Sequence, residues 1–151
     1  MHTVGHYWAA AAFSGFAAPS DWRSWADAKI LESDGPEDWI IGLSLATSES
    51  DLVEPLRQRM SAEDRECGRR TYIGNAKLGF IYWSFKLERM SIEAFLQKAG
   101  DEADGGTGDL ECEKVYAILN RLEARQTSGA TWEDLLEEAD ELFFSYWEIA
   151  K

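Results

Sequence analysis

The side chains able to do chemistry in this chain are overwhelmingly carboxylates. Two histidines, His2 and His6, and two cysteines, Cys67 and Cys112, are its whole supply of imidazole and thiol. A Ser-His-Asp or Cys-His arrangement would have to draw its base from the first six residues. Chain ends fray, and a triad needs a rigidly oriented imidazole. No HExxH, CxxC or P-loop pattern occurs, and neither histidine has a glutamate three residues upstream, as di-iron bundles require. The expectation is therefore no catalytic residue, no cofactor and no metal ligand. The acidic, glycine-rich stretch Asp101 to Cys112 fits a calcium loop only in part. Counted from Asp101, Gly106 takes the turn position and Asp109 the ninth. Ala103, Gly105 and Cys112, however, stand where oxygen ligands are needed, so an acidic surface loop is expected. Toward the C-terminus Glu133/Glu137, Asp134/Glu138 and Glu137/Glu141 stand four apart. Such pairs suit a hard cation or acid-base work, and the plainer account is a solvated helix face.

Charge distribution says more than any pair. The chain carries 28 acids against 15 bases, a net −13, and such a field repels phosphate backbones and anionic membranes. Residues 1–97 hold 14 acids and 10 bases, whereas residues 98–151 hold 14 acids and 5 bases. Like charges four apart destabilise a helix slightly, so the clustering runs against local stability. A local cost with no local gain marks an electrostatic docking face. The expected partner-binding residues are Glu133, Asp134, Glu137, Glu138 and Glu141, and the expected partner is a basic protein domain, not nucleic acid and not a membrane.

These residues must be positioned by helices. A chain of 151 residues with 45% apolar residues and 7 Trp, 5 Tyr and 7 Phe is long and apolar enough for one domain, residues 1–151, with a real core. Two cysteines 45 positions apart form no disulfide framework, and reduced, mostly buried thiols in a cytoplasmic protein are expected. Tyr7 to Ala18 is apolar, but no Lys or Arg precedes it and Ser14-Gly15 interrupts it. It is read as a first helix packed into the core, spanning about residues 3–16, and not as a signal peptide. Pro19-Ser20 opens a second helix with Trp22, Trp25, Ala26 and Ile30 on one face. Asp34-Gly35-Pro36 stops it and starts a third with Trp39, Ile40, Leu43 and Ala46 inward. A short fourth helix runs to about Met60, and Ser61-Ala62-Glu63-Asp64 reads as the capping box of a further segment. Ile73, Ala76, Phe80, Trp83 and Leu87 define one face of a central helix, and Ile81, Tyr82 and Phe85 widen it until little is left for solvent. Ser91 caps a helix bearing Ile92, Phe95, Leu96 and Ala99. After Gly105-Gly106-Thr107-Gly108 comes a helix from about Asp109 to Arg125. Thr131-x-x-Asp134 opens the last, with Trp132, Leu135, Ala139, Leu142, Tyr146 and Ile149 on its inner stripe. The prediction is an all-α bundle of seven or eight helices.

The segment from Trp22 to Ala46 resembles small helical bacterial proteins, some of which are immunity proteins of polymorphic-toxin systems. The matching positions are Trp22, Trp25, Ala26, Asp27, Ile30, Asp34, Pro36, Trp39, Ile40, Leu43, Ser44, Leu45 and Ala46, most of them packing positions. Where such proteins sometimes have two prolines before the tryptophan, Pro36 here is followed by Glu37 and Asp38. The resemblance implies an all-helical fold, and it carries over no partner-binding residue. Joined to the acidic C-terminal region, it makes the leading expectation an immunity-type protein that neutralises a basic toxin domain by direct contact. The alternatives are a carboxylate/metal-dependent enzyme and a nucleic-acid mimic that inhibits a DNA-processing protein.

Overall fold

A computed structural model of the chain describes residues 3–124 and 131–150, and the described residues form eight helices and no strand. In chain order these are α1 (Val4–Phe13), α2 (Pro19–Glu32), α3 (Asp38–Leu45), α4 (Glu49–Cys67), α5 (Gly74–Lys86), α6 (Ile92–Gly105), α7 (Cys112–Glu123) and α8 (Trp132–Ala150). The all-helical prediction holds. No described helix is long and apolar enough to cross a membrane. The helices gather into two compact units, Met1–Thr71 and Tyr72–Lys151.

In the first unit α1 packs on α4, and α3 on both α2 and α4. Ala9, Ala10, Ala11 and Ala12 of α1 are all buried, so the apolar N-terminal run is a packed helix, as expected. Asp21 starts α2 by accepting the Ala18 N–H at 2.7 Å, while Pro19 sits at the first helical position, where its missing N–H costs nothing. The buried Trp22 donates its indole N–H to the Ala46 carbonyl at 3.0 Å and ties α2 to the end of α3. Ala26, Trp39 and Leu43 are buried with it. Trp8, Trp25 and Trp39 continue the packing as a chain of rings with centroids 5.5 and 5.7 Å apart.

The expected break at Ser61 does not exist. α4 continues as one helix for 19 residues, and Glu63 points into the unit. Pro55 is accommodated inside it, and its ring lies where only a glycine, Gly42 of α3, leaves room: a Cβ there would stand 2.7 Å from Pro55 Cγ. The helix ends at Gly68, in the left-handed region at φ 70°, and the Arg69 N–H reaches back to the Asp64 carbonyl. Gly68 is thus the stop signal of α4.

The second unit packs α5 against α6 and α8, and α7 against α6 and α8. Its core is aromatic at the centre: Phe95 meets Phe143 at 4.9 Å and Phe85 at 4.7 Å, and Tyr82 stacks on Phe143 at 5.9 Å. Ser91 caps α6 by accepting the Ala94 N–H at 3.1 Å, and Ile92, Phe95, Leu96 and Ala99 are buried, both as expected. Two stripes differ from expectation. On α5 Phe80, Ile81 and Tyr82 are buried as expected and Leu78 joins them, but Trp83 is only half-buried and Leu87, at the helix end, is exposed. On α8 Phe143 and Ala150 join Leu135 and Ala139 inside, while Trp132 and Ile149 are exposed. Both helices had more apolar residues than one face needs, and packing chose among them. Cys67 is exposed and Cys112 half-buried, so the thiols are less buried than expected, and both are free.

Candidate functional site

The carboxylates of the second unit include two sets that bear on a site; Glu88, Glu93, Glu111, Glu113 and Glu123 are exposed outside both. One set is spent within the fold. The Tyr82 hydroxyl donates to Asp140 across α5 and α8, the Tyr116 hydroxyl to Asp101 across α7 and α6, and the Tyr146 hydroxyl to Asp109 in the segment before α7. Burial and these bonds together hold all three phenols above their ordinary range. Tyr116 is raised to about 12 chiefly by its bond to Asp101, and Tyr146 to about 12 chiefly by burial and then by its bond to Asp109. Burial, followed by the Asp140 bond, raises Tyr82 further still. Lys86 shares Asp140 at 3.2 Å, Lys77 meets Glu102 at 2.8 Å, and Arg121 of α7 pairs with Glu138 of α8.

The other set lies on α8. Glu133, Asp134, Glu137 and Glu141 are exposed, and their carboxylates make no hydrogen bond or ion pair to a described residue. The sequence grouped Glu138 with them, but the structure separates it, because its carboxylate is already held by Arg121. One residue of this face escaped the sequence reading. Phe144 is 53% exposed, and Glu137, Glu141, Phe144 and Glu148 step by four, three and four along one side of α8. Reading α8 only for its inner stripe hides that spacing. Beside the acidic face, an open groove of about 430 Å³ lies between α7 and α8, lined by Lys114, Ala117, Ile118, Glu138, Glu141 and Leu142.

A second polar cluster lies in the first unit, around the histidine expected at a frayed end. His6 is buried on the first turn of α1. The buried Glu63 carboxylate accepts the Gly5 N–H at 3.0 Å and the His6 N–H at 3.2 Å, lies 3.0 Å from His6 Nδ1, and takes Arg59 Nε at 3.0 Å. His6 Nε2 lies 3.2 Å from Asp64 Oδ1, outside hydrogen-bonding direction. The Thr3 hydroxyl stands 2.5 Å from Nδ1, the same ring nitrogen that faces Glu63. Thr3 shares its ring nitrogen with Glu63, and the carboxylate across the ring, Asp64, makes no hydrogen bond to Nε2, so no hydroxyl–imidazole–carboxylate relay is aligned and the cluster reads as a structural anchor.

The Asp101 to Cys112 stretch does not converge on a cation position. Asp101 to Gly105 belong to α6, Asp101 meets Tyr116 and Gln97, and Asp109 meets Tyr146. Among the described residues no three of His, Cys, Asp and Glu stand together as a metal-holding group. No family model matches the chain, and neither a curated protein nor a solved structure matches it.

Proposed function

We propose that this chain is a non-catalytic acidic binding protein of the bacterial immunity type, which neutralises a basic toxin domain through the first turns of α8. One observation carries the reading: Glu133, Asp134, Glu137 and Glu141 are exposed and unengaged on one helix, while Asp101, Glu102, Asp109, Glu138 and Asp140 are engaged inside the unit. Carboxylates kept free on a rigid helix steer a basic surface toward them. Charge gives rate and specificity more readily than affinity, and the exposed Phe144 beside Glu141 supplies an anchor of the kind that dominates binding energy. Two free thiols, one of them exposed, suit a reducing compartment, and the cytoplasm is the proposed location.

The proposal requires a neighbouring gene to encode a toxic domain, and the test is co-expression with that domain; a neighbourhood without one would overturn the proposal. The wild-type chain is expected to restore growth. The variant Glu133→Lys/Glu137→Lys/Glu141→Lys is expected to lose that protection while its melting temperature stays within a few degrees, since exposed carboxylates contribute little to stability. Growth inhibition that the wild-type chain does not relieve would overturn the proposal.

A further inference from the structure

We infer that the groove between α7 and α8 seats an aliphatic side chain of a basic partner helix, with the cation one turn away held by the α8 carboxylates. The inference rests on the reading of α8 as a docking face and names what that face receives. The groove owes its depth to Ala117, which is exposed and carries only a methyl group, beside the buried Ile118 and the half-buried Leu142. Lys114, Ala117/Ile118 and Arg121 follow one another by a turn of α7, so the apolar floor has a cation one turn to either side. The Arg121 cation is neutralised by Glu138, whereas Lys114 makes no ion pair to a described residue.

This pattern fixes both the chemistry and the direction of the occupant. A cation on the partner is repelled at the Lys114 end and attracted along α8 by Glu141, Glu137 and Glu133, which repeat every four residues. A helix places its own residues at the same four-residue spacing, so a row of Lys or Arg on a partner helix lies in register with that row of carboxylates. Arg121 on Glu138 already shows the contact within the fold: a guanidinium from a neighbouring helix bedded on an α8 carboxylate. An acidic or uncharged helix would bury the apolar floor equally well but would leave the carboxylates uncompensated.

The probe is a blocked, alanine-rich helical peptide of about 18 residues, long enough to form a helix alone. It carries one central Leu with Arg four and eight residues to one side of it only, in one peptide toward the N-terminus and in a second toward the C-terminus. Titration into the full chain is followed by the methyl resonances of Ile118 and Leu142. These resonances are expected to shift saturably. Changing the peptide's Leu to Ser, or filling the groove with Ala117→Phe, is expected to weaken binding about tenfold, the worth of one buried aliphatic side chain. Binding weakened by the Glu133/Glu137/Glu141 reversal but indifferent to the peptide Leu and to Ala117→Phe would overturn the groove and leave the docking face standing. Binding indifferent to all three changes would overturn both, and absence of any binding would overturn the groove. Ala117 is exposed, so its replacement leaves the core intact, and the peptide substitution leaves the protein untouched.

Discussion

At the N-terminus of α1, Thr3 makes no side-chain cap, and Glu63 of α4, 57 residues beyond His6, takes that part. A carboxylate there satisfies two otherwise unpaired N–H groups and meets the positive end of the helix dipole. It is also the partner of His6 and Arg59, and Arg59 in turn lies over the Trp39 ring at 5.5 Å. Removing Glu63 would leave several buried polar groups without partners, and Glu63→Ala is expected to cost about 3–5 kcal/mol. Gly5 is the residue that lets the carboxylate approach: a Cβ there would stand 2.6 Å from Glu63 Oε1 and 2.7 Å from Arg59 Cγ. Gly5→Ala is expected to cost about 1–3 kcal/mol by overpacking. Urea unfolding followed by tryptophan fluorescence measures both, and an unchanged midpoint in either variant would contradict this account of the anchor. Glu63 looked like the third residue of its own capping box because that pattern is local. Its actual partners meet it only through the packing of α1 on α4, which no spacing rule encodes.

Helix by helix, what was legible depended on whether the signal was local. Ser91 and Thr131, whose hydroxyl accepts the Asp134 N–H at 3.2 Å, act over three residues and are legible in the sequence, whereas Pro19-Ser20 suggests a cap at Ser20 when the cap position is Ala18 and Asp21 accepts its N–H. The continuity of α4 through Pro55 depends on space left by Gly42 in another helix, and the orientations of α5 and α8 depend on which of several apolar residues find partners. The end of α5 shows a local departure of a different kind. Glu88 adopts φ 60°, and the Arg89 N–H reaches the Ser84 carbonyl at 3.0 Å, a left-handed helix stop in which glycine is the usual residue. Glu88→Gly is expected to stabilise the protein by up to about 1 kcal/mol, because relief of left-handed strain exceeds the added entropy of the unfolded chain. A lowered melting temperature would contradict it. The tyrosine–aspartate bonds join elements in the second unit and make it sensitive to alkali. Tyr116 and Tyr146 hold their protons up to about 12 in the fold, against 10.0 ordinarily. The unfolded chain therefore loses these protons first, and the stabilisation is complete below pH 10 and lost as pH rises from about 10 toward 12. Phenolate absorbance should show late-titrating tyrosines that disappear one at a time in Tyr116→Phe and Tyr146→Phe. Ordinary ionisation of all tyrosines in the folded protein would contradict the tethers.

Across the whole molecule, the charge asymmetry was visible in the composition, but its division was not. Counting places 14 acids in residues 98–151 without saying which are spent on tyrosines, lysines and arginines within the fold. Of the five carboxylates singled out on α8, Glu138 is paired with Arg121, and an exposed Phe144 and an open groove lie beside the other four. A charge reversal meant to test docking therefore belongs at Glu133, Glu137 and Glu141, where no internal ion pair is broken. The measurement that tests the central claim most directly is the association rate of the chain with the basic toxin domain that the proposal requires a neighbouring gene to encode, taken by stopped flow across a salt series. The wild-type rate is expected to fall steeply as the screening length shrinks from about 10 Å at 0.1 M salt to about 3 Å at 1 M. The Glu133→Lys/Glu137→Lys/Glu141→Lys variant is expected to associate at least about tenfold more slowly at low salt, with little further salt dependence and an unchanged fold. Equal rates for the two proteins at every salt concentration would contradict the claim that α8 is an electrostatic docking face.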